Sequence, residues 1–206
     1  LVPFCRRFGA KGIWYALFHA VSAFCNAGFD LLGTPDDPFP SLVAFRDDPL
    51  LVVTAALLIL IGGIGFLTWD DVRTHRLRLR RYRLQSKLVL TVSAVLVVFP
   101  TLYYYFFEFT AGSAGQRLLD AFFQTVTPRT AGFNTVDLAA MTGASRALMV
   151  VLMLIGGASG STAGGMKVTT LAVLAANAVA AFRRREDPQL FKRRLEPSAV
   201  RNAAAI

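Results

Sequence analysis

Two short stretches of this 206-residue chain carry the groups best suited to chemistry, and those groups are backbone carbonyls. Asn26-Ala27-Gly28-Phe29 and Thr130-Ala131-Gly132-Phe133 write Ala-Gly-Phe twice, about 104 positions apart, each time after a short apolar segment and before a long apolar span. The same offset lays Phe18 on Phe122, and Leu60-Ile61-Gly62-Gly63 has its echo at Leu154-Ile155-Gly156-Gly157. A glycine in such a stretch opens backbone conformations closed to other residues and lets carbonyls turn inward. Rings of inward carbonyls replace the hydration shell of an alkali cation. One copy alone reads as an ordinary loop glycine; two in matched contexts read as a cation filter. A third stretch, Gly156-Gly157-Ala158-Ser159-Gly160-Ser161-Thr162-Ala163-Gly164-Gly165, sets five glycines and three hydroxyls inside an apolar span, with Lys167 just after it.

The elements that must position these stretches follow from length. Apolar runs cover residues 50–69, 88–107 and 147–182, each long enough for a spanning helix. The segments before the glycines are shorter, about fifteen residues between Gly12 and Asn26 and about eleven between Arg117 and Thr127, and neither crosses a hydrocarbon core of about 30 Å. Each is expected to be a re-entrant half-helix, its loose backbone held against protein or water because lipid satisfies no carbonyl. Such a helix aims the negative end of its dipole at the membrane centre, where a cation is welcome. As one straight helix, residues 147–182 would be about 54 Å long, so the run must break, and the Gly/Ser/Thr stretch marks the place. A flexible polar loop across a conduction path is a gate. The gate residues expected are Gly156, Gly157, Ser159, Gly160, Ser161, Thr162, Gly164, Gly165 and Lys167, with Lys167 balanced between a functional charge and a snorkelling one.

Composition excludes several classes. The chain is 54% hydrophobic, with a mean hydropathy of +0.50. A net charge of +9 raises nucleic acid as a partner, but the charges sort by side of a bilayer. Arg73, Arg76, Arg78, Arg80, Arg81, Arg83 and Lys87 fill one junction, and Arg183, Arg184, Arg185, Lys192, Arg193 and Arg194 follow the last span, marking a cytoplasmic face. Asp30, Asp36, Asp37, Asp47, Asp48, Glu108 and Asp137 fall on the outer side, where they focus cations or simply face solvent. Asp30, directly after a filter stretch, is the best candidate for a role. The stretch 160–169 fails as a nucleotide-binding loop because Met166 separates Gly165 from Lys167 and Val168 separates Lys167 from Thr169. Cys5 and Cys25 are too few for a disulfide framework, and Cys25 is expected to pack as a small side chain. His19 and His75 lack metal-site spacing; His19 reads as a polar packing residue. Tyr103-Tyr104-Tyr105 and Trp69 read as interfacial belt residues. No basic region with a cleavage site opens the chain at Leu1, so no signal peptide is expected, and the sequence is expected to continue at both ends. No catalytic residue and no cofactor site is expected. Another class of secondary transporter, with a midplane substrate site on broken helices, is the alternative, disfavoured because the two repeats run in the same orientation.

Four stretches together resemble the Trk/Ktr/HKT superfamily of potassium transporters, its bacterial KtrB-type membrane subunits most of all. They are residues 18–29, Leu60-Ile61-Gly62-Gly63-Ile64-Gly65-Phe66, Arg129-Thr130-Ala131-Gly132-Phe133-Asn134-Thr135, and Gly160-Ser161-Thr162-Ala163-Gly164-Gly165-Met166-Lys167. The resemblance implies an all-α polytopic membrane protein of four membrane-pore-membrane repeats, one filter glycine from each. By that template residues 1–69 are most of the second repeat, 70–87 a cytoplasmic basic loop, 88–182 the third repeat with its intramembrane gate loop, and 183–206 a cytoplasmic linker toward a fourth. It further implies potassium as the transported ion, sodium as an activating ion, a homodimer, a cytosolic nucleotide-binding regulatory ring subunit, and a multi-pass place in the inner cell membrane. The arginine that the family sets below the filter in its last repeat has no counterpart here.

Overall fold

The computed structural model describes residues 1–76, 78–184, 189–191, 193–194 and 197–204; Arg185 and Lys192 of the second basic cluster lie outside them. The fold is mostly helical. Helix α1 (Val2–Phe8) turns at Gly9 into α2 (Lys11–Phe24), a helix about 21 Å long. Its burial is the reverse of a soluble helix. His19 and Ser22 are buried while Trp14, Leu17 and Val21, on one stripe, are more than half exposed, so the apolar face looks outward to lipid or protein. His19 packs under Phe4 and its Nδ1 pairs with the Tyr15 carbonyl, a packing residue as expected.

A proline-rich loop leads to α3 (Pro49–Gly63). Asp48 caps it by accepting from the Leu51 N–H, and Pro49 sits at its first position, where no N–H is needed. The expected unbroken span over residues 50–69 is corrected here. The chain bends by 96° between α3 and α4 (Phe66–His75). The apolar run continues through the bend, so hydropathy cannot see it. The carbonyls freed at Gly62 and Gly63 are satisfied from elsewhere, by the N–H groups of Thr162 and Ala158.

Helix α5 (Leu84–Tyr103) continues through a π-turn at Tyr104–Glu108. Among the described residues, Leu84–Glu108 is the one unbroken helix long and apolar enough to cross a bilayer. Pro100 lies inside it, and Phe109 N–H reaches back to the Tyr104 carbonyl. Tyr104 is not the belt residue expected. It is fully buried, its hydroxyl donating to the Ser145 carbonyl at 3.2 Å. Trp69 is half-buried and donates to the Ile61 carbonyl, bracing the α3–α4 bend.

Helix α6 (Ala114–Val126) starts at a Ser113 cap, and α7 (Gly143–Leu154) at a Thr142 cap that also holds Glu108. The long apolar run breaks as expected after α7 and resumes as α8 (Val168–Phe182). A two-residue antiparallel ladder, 189–190 with 193–194, and α9 (Pro197–Ala204) follow. The main core gathers Phe4, Leu42, Phe45, Val52, Ile59, Phe123, Val126 and Phe133, drawn from α1, the loop before α3, α3, α6 and the stretch after α6. It therefore joins the two halves of the internal repeat rather than filling each separately.

Candidate functional site

Both Ala-Gly-Phe stretches begin where a short helix stops, and the two stops are built alike. After α2, Asn26 adopts a left-handed conformation (φ 51°) and the Ser22 hydroxyl donates to the Phe29 carbonyl at 2.8 Å. After α6, Thr130 does the same (φ 71°), and Thr127 Oγ1 donates to the Phe133 carbonyl at 2.5 Å. In each copy a hydroxyl on the end of the helix turns the phenylalanine carbonyl back. The carbonyls of residues 26–28 and 130–132 accept no hydrogen bond from another described residue. The side chains diverge. Phe133 is fully buried beside His19, whereas Phe29 is 70% exposed.

The two stretches, far apart in sequence, meet at their glycines. Gly28 (φ 72°) lies so near the second stretch that a Cβ there would stand 2.2 Å from the Ala131 carbonyl oxygen. Gly132 (φ 87°) faces back, with Gly28 Cα the nearest atom to its would-be Cβ at 3.8 Å. Any side chain at Gly28 would force the backbones apart.

Residues 155–167 form the loop between α7 and α8, and it hangs from both stretches. Its ends close on one another through a bridge between Ile155 and Met166, and Lys167 Nζ donates to the Ala163 carbonyl at 2.6 Å. Lys167 thus caps the loop from its edge, at the start of α8, instead of standing as an isolated charge. Within the loop, Thr162 Oγ1 donates to the Phe24 carbonyl at 2.8 Å and accepts from Asn26 Nδ2 at 3.0 Å, fixing it to the first stretch. Gly164 N–H donates to Thr130 Oγ1 at 3.2 Å, fixing it to the second. Phe66 N–H donates to the Gly160 carbonyl, so the α3–α4 bend holds the far side. Ser161 Oγ stays inside the loop on the Ala158 carbonyl, and Ser159 pairs with Thr169.

Several groups at this centre escaped sequence reasoning. Arg129 is buried, its Nη2 within reach of the Gly156 carbonyl (3.3 Å) and Ser93 Oγ (3.4 Å). A lone arginine in apolar surroundings, one residue before the second stretch, was the available signal. Ser41 and Leu42 of the loop before α3 strap the second stretch by bonds to Asn134, a contact with no sequence signal. Arg46 makes a two-pronged pair with buried Asp120 of α6, at 2.6 Å on the shorter prong. The hydrogen bonds it donates there hold the Arg46 pKa above the ordinary arginine value. Two of the carboxylates serve local turns: Asp30 accepts from Leu32 N–H and Asp137 from Ala139 N–H. Cys25, expected to pack, is exposed at the end of α2.

Residues 5–206 match the family model described as TrkH, cation transport protein. The chain belongs to the TrkH family of cation transport proteins. It is 40% identical to the potassium/sodium uptake protein NtpJ of Enterococcus hirae over 100% of its own length and 45% of the relative's. It is 39% identical to the Ktr system potassium uptake protein B of Vibrio alginolyticus, over 95% of this chain and 43% of that one. The Bacillus subtilis Ktr system potassium uptake protein B is 35% identical, over 96% and 44%. The chain therefore spans less than half the length of these relatives. A crystal structure of the potassium transporter TrkH from Vibrio parahaemolyticus superposes with a TM-score of 0.75 at 22% identity, over 93% of this chain and 41% of that one, and shows the fold. Members of the TrkH family are membrane ion transporters and not enzymes.

Proposed function

We propose that this TrkH-family chain is the central part of the ion-conducting membrane subunit of a potassium uptake system. Asn26, Ala27, Gly28 and Phe29 line one quarter of a selectivity filter and Thr130, Ala131, Gly132 and Phe133 another. Potassium is the cargo, coordinated by backbone carbonyls, and sodium acts as an activating ion. Residues 156–165 with Lys167 form an intramembrane gate. Residues 1–69 and 88–182 are two membrane-pore-membrane repeats, joined by the basic cytoplasmic loop 70–87 and followed by the linker 183–206, in a multi-pass protein of the inner cell membrane. The whole protein works as a homodimer under a cytosolic nucleotide-binding ring subunit.

The observation that carries this reading is the contact of Gly28 with Ala131 and Gly132 directly beside a polar loop hung from both stretches. Free carbonyls on two converging half-helices are what a dehydrated cation needs. Rubidium uptake by the complete gene in cells lacking potassium uptake tests the transport. Gly132→Ser in the full-length protein tests the filter, because a side chain at φ 87° shifts the carbonyls on either side. The expected result is a lowered preference for potassium over sodium; unchanged preference and uptake affinity would overturn the filter assignment.

A further inference from the structure

A small cavity of about 20 Å³ lies behind the two filter stretches, walled by Asn26, Ser93, Arg129, Gly157 and Ala163 among others. Two of its walls carry buried polar atoms that bond to no other protein group: Asn26 Oδ1 and Arg129 Nε. Both residues are more than nine-tenths buried. The orientation of the Asn26 amide is fixed by its other contacts. Its nitrogen faces the Ile59 carbonyl at 3.4 Å and Thr162 Oγ1 at 3.0 Å. Thr162 spends its own proton on the Phe24 carbonyl, so its oxygen must accept from Asn26. The amide oxygen therefore points the other way. The remaining needs are one acceptor, Asn26 Oδ1, and one donor, Arg129 Nε–H. A cation would be repelled by the guanidinium and an anion by the amide oxygen. A molecule that both donates and accepts is the complement, and the cavity has room for one water.

We infer that a single ordered water occupies this cavity and joins Arg129 Nε to Asn26 Oδ1. The water links three parts of the site at once. Asn26 belongs to the first filter stretch, Arg129 leads into the second, and both hold the gate loop, Arg129 at the Gly156 carbonyl and Asn26 at Thr162. Leaving either polar atom unmet while buried would be costly, so the water stabilises the arrangement in which the loop lies against the filter. When the loop swings away, Thr162 and Gly156 leave their partners and the node comes apart. The water is thus a latch on the closed gate, a role that rests on residues 156–165 being the gate.

A map of the full-length protein at a resolution that shows ordered waters tests the site. A single peak within about 2.7–3.2 Å of both atoms is expected. An empty cavity, or direct contact between Asn26 and Arg129, overturns the inference. Arg129→Lys tests the latch, because it keeps the positive charge but removes the Nε donor together with the Nη2 contacts to Gly156 and Ser93 that belong to the same node. If Arg129 serves only as a buried charge, lysine restores parental behaviour. The latch requires that it does not: the water peak disappears and rubidium flux without the regulatory subunit rises by about fivefold or more, one ordinary hydrogen bond being worth about fivefold. The potassium-to-sodium preference stays near the parent's, which separates loss of the latch from damage to the filter. Parental flux in a folded Arg129→Lys protein would sink the latch even with the water present.

Discussion

Gly28 and Gly132 share a tripeptide but differ in what surrounds them, and this difference makes the filter reading testable at the scale of one methyl group. Both have positive φ, where an alanine is strained by about 1–2 kcal/mol. At Gly132 nothing described lies nearer to the added carbon than 3.8 Å, so strain is the whole cost. At Gly28 the added carbon meets the Ala131 carbonyl oxygen at 2.2 Å, a backbone atom with no rotamer to yield. Relief must come from parting the two stretches. Gly28→Ala is therefore expected to lose more of the potassium preference than Gly132→Ala, measured as rubidium against sodium uptake in the complete protein. Equal losses would mean that the two stretches are not in contact in the working transporter.

The loop between α7 and α8 shows how a polar element can sit inside an otherwise apolar run. Its N–H groups and hydroxyls meet the ends of α2 and α3, supplying donors to the carbonyls of Phe24, Gly62 and Gly63. Each element thereby solves the other's unsatisfied backbone. The bonds are few and several are near 3.2 Å, a strength that a regulator can overcome. Deleting residues 159–163 removes the Thr162 link and shortens the obstruction, leaving the glycine stretches intact. Rubidium flux through the complete protein is expected to rise and to depend less on the cytosolic subunit, with ion preference retained. Parental flux and regulation in a folded, inserted deletion variant would make the loop a structural kink.

At the scale of the molecule, the chain brings two glycine stretches together and leaves apolar faces uncovered. Trp14, Leu17 and Val21 on α2, and Phe99, Phe106 and Phe107 along α5, are all more than half exposed. The relatives are more than twice as long. In the proposed four-repeat reading two stretches line only part of the pore, so residues 1–206 alone in potassium-loaded liposomes are expected to release no potassium above empty liposomes. Selective potassium release from them would show that two repeats suffice and would remove the four-repeat reading.

The sequence by itself determined the features that rest on counting along the chain. Segment length forbids the stretches before Gly28 and Gly132 from crossing a bilayer, and forbids residues 147–182 from being one helix. The recurrence of Ala-Gly-Phe and the sorting of arginines needed no coordinates either. Hydropathy ran past the 96° bend after Gly63, because its residues stay apolar through it; the bend exists where Ala158 and Thr162, nearly a hundred residues later, supply the N–H groups that a broken helix needs. Tyr104 looked like its neighbours until α7 brought the Ser145 carbonyl to its hydroxyl. Arg129 became part of the site only when the loop placed Gly156 beside it. Composition and periodicity report what one segment prefers, whereas which carbonyl meets which donor is fixed by elements packing through space, and that the tertiary structure alone decided.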